Sequence, residues 1–267
     1  MSSAKPARDG VDWTREESVL AFDLYCRIPF KTTKANNPEV ITLAQALQRT
    51  PASLARRLGN FGACDPELKK HDISGLSHTS KLDEAIWSEF NSDWGKLVIE
   101  ADRLRQQRTG QTLSTEPEIV IPEIKGPTER VTTAKQRIYQ NFFRASVLSG
   151  FNQQCCICGV PHPEILIASH IIPWSVREDV RVNPQNGLCL CASHDLAFER
   201  GLIGIGTDFS ILLCDRVKQS KDAASQYLFV AFEGKSISLP DRFVPRKDFL
   251  NWRVAKFLEN HTRPVAA

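Results

Sequence analysis

The 267-residue sequence predicts an α+β protein with an all-α amino-terminal domain and a carboxy-terminal domain of short strands and helices around a metal site. Three observations support this prediction. Apolar residues recur at helical spacing over roughly the first hundred residues. This pattern disappears over residues 107–132, which are rich in Pro, Thr and Glu, and then gives way to short apolar runs and clustered cysteines. We therefore expect a helical domain over 1–106, a linker over 107–132 and a second domain over 133–267.

The composition is that of a soluble globular protein, with 42% hydrophobic and 24% charged residues. The sequence contains no apolar run long enough to span a membrane, and the start "MSSAKPARDGVDW" lacks the apolar core of a signal peptide. These features predict a cytoplasmic protein without a membrane partner. The net charge of +3 permits nucleic-acid binding without requiring it.

In the first domain, Thr14 and Glu17 have the spacing of a capping box ahead of an apolar run. A helix over 40–47, the turn "RTPAS" and a second helix predict a helix-turn-helix-like unit, and a long amphipathic helix is expected over 81–107. The second helix of the unit carries three polar side chains that we consider candidate DNA contacts: Arg56, Arg57 and Asn60. The alternative is a scaffold helix whose arginines form a solvated face.

The second domain begins with a predicted helix, "TAKQRIYQNFFRASVLSG", whose Arg137 and Arg144 form a basic flank. Predicted strands follow in "EILIASHII", "NGLCLC", "LIGIG" and "FSILLC", with a short helix in "ASHDLAFERG" between the second and third of them. The chain beyond Phe209 is expected to add further strands to this domain.

The cysteines of this domain have the spacing of a zinc site. Cys155-x-x-Cys158 and Cys191-x-x-His194 form two short pairs, each of which presents two ligands from one side. In a reducing cytosol such clusters bind metal more often than they form disulfides. The pairs therefore predict a structural Zn²⁺ with three cysteines and one histidine. Three other residues are alternative ligands: Cys156, His162 and Cys189.

The segments between the pairs resemble the HNH endonuclease family, the ββα-metal nucleases, in "SHIIPW", "NPQNGLCLC" and "ASHDLAFERGL". The leader "QRIYQNFFR" makes the sequence most similar to the bacterial restriction-type branch of this family. The nuclease resemblance covers roughly residues 133–205. It implies a ββα-metal fold for the second domain.

The resemblance also implies roles for individual residues. His170 matches the general base that deprotonates the attacking water. Asn186 matches the asparagine that braces the loop orienting this base, although Pro184 and Gly187 allow it to be a simple turn residue. Asp195 matches a ligand of the catalytic Mg²⁺ or Mn²⁺. Ser169 stands where many members carry a stronger metal ligand.

His194 has two alternative roles under the same resemblance. It lies where zinc-bearing members of the family place their last zinc ligand. Members without the zinc cysteines keep a histidine near this position, so His194 is also a candidate catalytic ligand. The sequence leaves both roles open.

The implied activity is metal-dependent hydrolysis of double-stranded DNA by a restriction endonuclease of bacterial defence, with modification-dependent enzymes as one subclass. Such an enzyme would be associated with the nucleoid when bound to DNA, and cutting both strands would favour a homodimer on DNA. The candidate phosphate contacts of the second domain are Arg137, Arg144, Arg177 and Arg181. The rival functions are a non-catalytic DNA-binding regulator with a zinc-stapled domain, a nickase or structure-specific nuclease, and a zinc-stabilised interaction module.

Overall fold

The computed structural model describes residues 8, 10–70, 79–109 and 130–262. The chain forms two compact units, unit 1 (Met1–Ser149) and unit 2 (Gly150–Ala267). Most of the predicted linker, residues 110–129, lies outside the described residues. Residues 133–149, which we expected in the second domain, belong to unit 1. The reason is packing, since the ring of Phe142 lies 6.2 Å from that of Trp94.

The described part of unit 1 contains helices and connecting segments, and no strand. Its helices are α1 (Arg15–Arg27), α2 (Pro38–Ala46), α3 (Pro51–Cys64), α4 (Pro66–Lys70), α5 (Lys81–Phe90), α6 (Trp94–Thr109) and α7 (Arg130–Gly150). The predicted capping box is confirmed, because Thr14 and Glu17 each accept a hydrogen bond from the other's backbone N–H. Among the described residues, no helix combines the length and the apolar character that crossing a membrane requires.

One of the predicted helices is divided in two. The long helix expected over 81–107 is interrupted at residues 91–93, which separate α5 from α6. The side chain of Asp93 accepts a hydrogen bond from the backbone N–H of Lys96 at 2.9 Å, as a residue at a helix start does. The polar sequence Asn-Ser-Asp therefore ends one helix and starts the next, although the apolar spacing continues across it.

Two of the three candidate DNA contacts on α3, Arg57 and Asn60, have hydrogen-bond partners inside unit 1. Arg57 is only 6% exposed and forms an ion pair with the fully buried Asp83 at 2.5 Å. It also donates to the hydroxyls of Ser18 and Ser80. Asn60 donates to the same Asp83 carboxylate at 2.9 Å. Both side chains thus help to satisfy a buried charge, which favours the scaffold role that the sequence left as the alternative.

We expect Arg57→Ala to lower the free energy of unfolding by about 3–5 kcal/mol, because it leaves the buried Asp83 carboxylate without its cation. The exposed neighbour is the matched control, and Arg56→Ala should change this free energy by less than about 0.5 kcal/mol. Urea denaturation of both variants measures the difference. Equal stability of the two variants would contradict the assignment of Arg57 to the core.

A second buried ion pair in unit 1 makes its stability depend on pH. Asp23 is completely buried, which raises the pKa of its carboxyl, but Arg27 and Arg105 outweigh burial and hold this pKa below its usual value. A carboxyl whose pKa is lower in the folded state stabilises that state above its unfolded pKa, and this stabilisation is lost as the pH falls through the folded value. We therefore expect the stability difference between wild type and Asp23→Asn to be greatest near neutral pH and to shrink below about pH 4. Urea unfolding across this range measures it, and a constant difference would contradict the prediction.

Unit 2 is built on two antiparallel strand pairs. Strand β1 (Leu166–His170) pairs with β2 (Gly187–Cys191), and β3 (Ile203–Ile205) pairs with β4 (Ile211–Leu213). The helices of the unit are α8 (Ala192–Glu199), α9 (Asp215–Lys218), α10 (Ala223–Leu228) and α11 (Lys247–Thr262). All four predicted strands and the predicted short helix are confirmed.

The chain beyond β4 differs from the prediction. Further strands were expected there, but residues 215–218 and 223–228 are helical. The side chain of Asp222 caps α10 by accepting a hydrogen bond from the backbone N–H of Ser225 at 2.8 Å. A local cap therefore outweighs the strand-like composition of this segment. In the described part of the segment, the one remaining strand-like contact is an isolated antiparallel bridge between Ser210 and Ser236.

Candidate functional site

Four potential metal ligands converge at one end of the β1–β2 pair: Cys155, Cys158, Cys191 and His194. Their ligand atoms all lie within 4.8 Å of one another. Cys158 Sγ is 3.9 Å from Cys191 Sγ, and His194 Nδ1 is 3.5 Å from Cys155 Sγ and 3.1 Å from Cys191 Sγ. Tetrahedral Zn²⁺ with Zn–S bonds of about 2.3 Å requires ligand separations of roughly 3.5–3.8 Å. The group can therefore hold such an ion after Cys191 and His194 move apart by a fraction of an ångström.

Local structure brings these ligands together. Cys155 and Cys158 lie on a turn that Gly159 closes with a φ of +75°, a conformation that glycine adopts without strain. Cys191 ends β2 and directly precedes α8, so that His194 follows in the first turn of this helix. The first pair is thus brought together by a turn, and the second pair by the start of a helix.

Both ring nitrogens of His194 are engaged at this cluster. Nδ1 faces the cysteines, and Nε2 donates to the carbonyl oxygen of Leu228 at 2.8 Å. A metal-binding histidine commonly donates its second N–H in this way, which fixes the ring orientation. The geometry therefore favours the zinc role for His194 over the catalytic role that the sequence left open. The Leu228 carbonyl has no sequence signal, because a backbone oxygen is present at every residue.

The alternative zinc ligands lie outside the cluster, which is the only such group within the residues that the structure describes. Cys156 and Cys189 are buried core residues joined through their backbones, and burial raises the pKa of the Cys156 thiol. His162 is exposed. Hydrogen bonds from Cys191 and His194 lower the pKa of Cys155 to about 3, which favours the thiolate form at this position.

His170 lies at the opposite end of the β1–β2 pair, paired with Gly187. Its Nε2 lies 2.9 Å from the carbonyl oxygen of Arg181, a distance at which Nε2–H donates to that oxygen. The proton-accepting lone pair then belongs to Nδ1. Burial lowers the pKa of His170 to about 4, although the bond to Arg181 raises it. The imidazole is therefore neutral at neutral pH, which is the form that a general base needs.

Asn186 holds the loop that follows His170. The side chain is completely buried; its oxygen accepts from the backbone N–H of Ile172 at 2.9 Å. Its amide donates to the carbonyl oxygens of Ile172 at 3.0 Å and Val180 at 3.4 Å. The sequence also allowed Asn186 to be a simple turn residue. In the structure the side chain that caps the turn at Pro184–Asn186 is that of the neighbouring Asn183.

Asp195 and Ser169 lie side by side, on α8 and β1. Burial raises the pKa of the Asp195 carboxyl, and the Ser169 hydroxyl acts against this effect. The hydroxyl is itself buried and has no hydrogen bond of good geometry among the described residues. Oxygen donors of this kind suit Mg²⁺ or Mn²⁺, which retain water ligands when the protein supplies few. The pair fits a catalytic ion with a small protein ligand set.

The remaining candidate DNA contacts differ in accessibility. Arg177 is exposed and forms an ion pair with Asp179. Arg181 is half-buried and holds its own loop, since its Nε donates to the carbonyl oxygen of Trp174 at 2.7 Å. Arg137 is exposed and Arg144 is half-buried, and both lie on α7 in unit 1.

The site thus consists of the β1–β2 strand pair and the helix α8 that follows it. The Cys/His cluster lies at one end of the strand pair, and the neutral His170 lies at the other. Residues 155–206 match the family model described as HNH endonuclease, and this segment contains the four cluster ligands together with Ser169, His170, Asn186 and Asp195. No curated protein matches the chain. Unit 2 therefore carries a domain of the HNH endonuclease family, which implies a nuclease-type function, and unit 1 lies outside the match.

Proposed function

We propose that the protein is a metal-dependent HNH endonuclease that hydrolyses double-stranded DNA, with His170 as the general base. The observation that carries this proposal is the hydrogen bond from His170 Nε2 to the Arg181 carbonyl, which directs the lone pair of a neutral imidazole to Nδ1. In the reaction, the oxygen of a water molecule bonds to phosphorus while His170 Nδ1 takes its proton. The bond to the 3′-oxygen breaks, and that oxygen is protonated from solvent.

Asp195 would hold the catalytic Mg²⁺ or Mn²⁺, with the Ser169 hydroxyl next to it. When bound, this ion supplies charge stabilisation at the scissile phosphate and the leaving oxygen. Asn186 fixes the loop that contains Arg181 through its hydrogen bonds to the backbone of Ile172 and Val180. This loop in turn orients His170. The cluster of Cys155, Cys158, Cys191 and His194 would carry a structural Zn²⁺.

DNA would be bound through exposed or half-buried arginines in both units, and the retained candidates are Arg56, Arg137, Arg144, Arg177 and Arg181. Arg177 and Arg181 would have to exchange their acidic partners, Asp179 and Glu178, for phosphate. We further propose that unit 1, with the helix-turn-helix order of α2 and α3, selects the target, as in a restriction endonuclease. A homodimer on DNA would supply the second site needed to cut both strands.

Cleavage of supercoiled plasmid tests this proposal. Modified and unmodified DNA would be incubated with Mg²⁺, with Mn²⁺ or with EDTA, and bound zinc would be measured on the same protein. We expect linear product with either metal ion, none with EDTA, and one zinc per chain. DNA binding without cleavage of any substrate would reject the nuclease in favour of a regulator, and nicked product alone would reject double-strand cutting in favour of a nickase.

A further inference from the structure

A charged contact joins α11 to α8 close to Asp195. The Nη2 atom of Arg253 donates to the carbonyl oxygen of Phe198 at 3.0 Å and to the carboxylate of Glu199 at 3.2 Å. The guanidinium also lies over the Phe198 ring, 4.3 Å from its centroid. Glu199 is one helical turn after Asp195, so Arg253 is held beside the carboxylate that we assign to the catalytic metal.

Arg253 has hydrogen-bonding capacity that these contacts do not use. A guanidinium carries five N–H donors, and only Nη2 is engaged, whereas Nε and Nη1 have no partner within the described part of the chain. The side chain is 13% exposed and lines a small cavity together with Glu199 and Lys256. Unused guanidinium donors of this kind suit an oxyanion such as phosphate.

The position of Arg253 is built into the packing of unit 2. A Cβ atom on Gly204 of β3 would lie 3.1 Å from the ring of Phe257, so the glycine lets α11 approach the strand closely. Phe257 is only 8% exposed. This close packing sets the face of α11 that carries Arg253 against α8. The arrangement therefore does not depend on the long charged side chain alone.

We propose that Arg253 is a further active-site residue, which binds a non-bridging oxygen of a phosphate in the DNA strand that is cut. Glu199 is the positioning residue that holds the guanidinium beside Asp195. This inference rests on the proposed nuclease function and adds a contact from a helix outside the segment that matches the family. The charge of Arg253 is available where negative charge develops on the phosphate during hydrolysis.

The test uses the full chain with Arg253→Ala, Arg253→Lys and the control Arg246→Ala, which removes an exposed arginine at the start of the same helix region. Single-turnover cleavage of a short DNA duplex with Mg²⁺ measures the rate at saturating protein. The salt dependence of duplex binding is measured by fluorescence anisotropy with each change made in a His170→Ala background. For Arg253→Ala we expect a rate about 10²-fold lower and a salt slope reduced by about one. Arg253→Lys should leave the salt slope unchanged and should cut DNA faster than Arg253→Ala. Arg246→Ala should have the cleavage rate of the wild type and the salt slope of the His170→Ala protein.

An unchanged rate and slope in Arg253→Ala would overturn the proposal. So would a lower rate accompanied by a lower melting temperature and an unchanged slope, because that pattern identifies a brace between α8 and α11. Failure of the nuclease proposal has a different signature, since the parent protein would then cut no duplex. The salt slope would still decide whether Arg253 binds phosphate, and a chain that binds no DNA in any variant would overturn both proposals.

Discussion

His170→Ala is expected to lower the rate of DNA cleavage by about 10²–10⁴-fold, the range that general-base catalysis contributes. The substitution removes the neutral imidazole whose Nε2 is held by the Arg181 carbonyl. It changes none of the Cys/His residues that form the cluster at the other end of the strand pair. Single-turnover cleavage of plasmid DNA with Mg²⁺ measures the effect, and bound zinc and thermal unfolding are measured in parallel.

The matched control is His162→Ala, since His162 is exposed and lies outside the cluster. This variant should cut DNA at the wild-type rate. Equal rates for His170→Ala and wild type would remove His170 from the chemistry. A loss of zinc in His170→Ala would show that the substitution disturbs folding, and the effect on rate could then no longer be assigned to the base.

Cys155→Ser is expected to abolish stoichiometric zinc binding and to unfold unit 2 at a much lower temperature than in the wild type. Structural zinc sites contribute about 10–16 kcal/mol of apparent binding free energy, and this energy is coupled to folding. The described part of unit 2 is small and has four short strands, so loss of even a few kcal/mol should lower its melting temperature by at least roughly 10 °C. Elemental analysis and calorimetry of the full chain measure both effects.

Cys64→Ser is the control for loss of a thiol, because Cys64 is half-buried in unit 1 and far from the cluster in sequence. It should retain one zinc per chain and the wild-type melting of unit 2. Addition of a strong chelator to the wild type should reproduce the Cys155→Ser result. A Cys155→Ser variant that binds one zinc as tightly as wild type would contradict the ligand assignment.

Structural features that depend on residues close in sequence were predicted correctly from the sequence. The capping box at Thr14, the start of α3 at Pro51 and the helix end near Gly201 each depend on contacts within a few residues, which the sequence displays directly. The two pairs of the metal cluster are of the same kind, since each is a single turn or helix start. The order of the site motifs in the sequence was sufficient to indicate the family of unit 2.

Arg57 shows where this reasoning falls short. It lies three residues after Leu54 and four before Phe61, so helical spacing already places it on the buried face of α3. Its charge nevertheless suggested a surface role, because the sequence does not reveal the buried carboxylate of Asp83, 26 residues away, that compensates it. An arginine is expected at the surface until its partner is known.

The different surroundings of His194 and Asp195 were decided only by the tertiary structure. Adjacent residues on a helix point in different directions, and only the packing of the helix decides which one faces the cysteines. Here the Leu228 carbonyl, 34 residues away, fixes the His194 ring, while Asp195 meets Ser169 on the neighbouring strand. The sequence by itself determined most of the helix and strand segments as far as β4, the two ligand pairs and the candidate base, because each depends on short-range spacing. Which polar side chains are buried and which of them meet was decided by contacts between distant segments, and these exist only once the chain has folded.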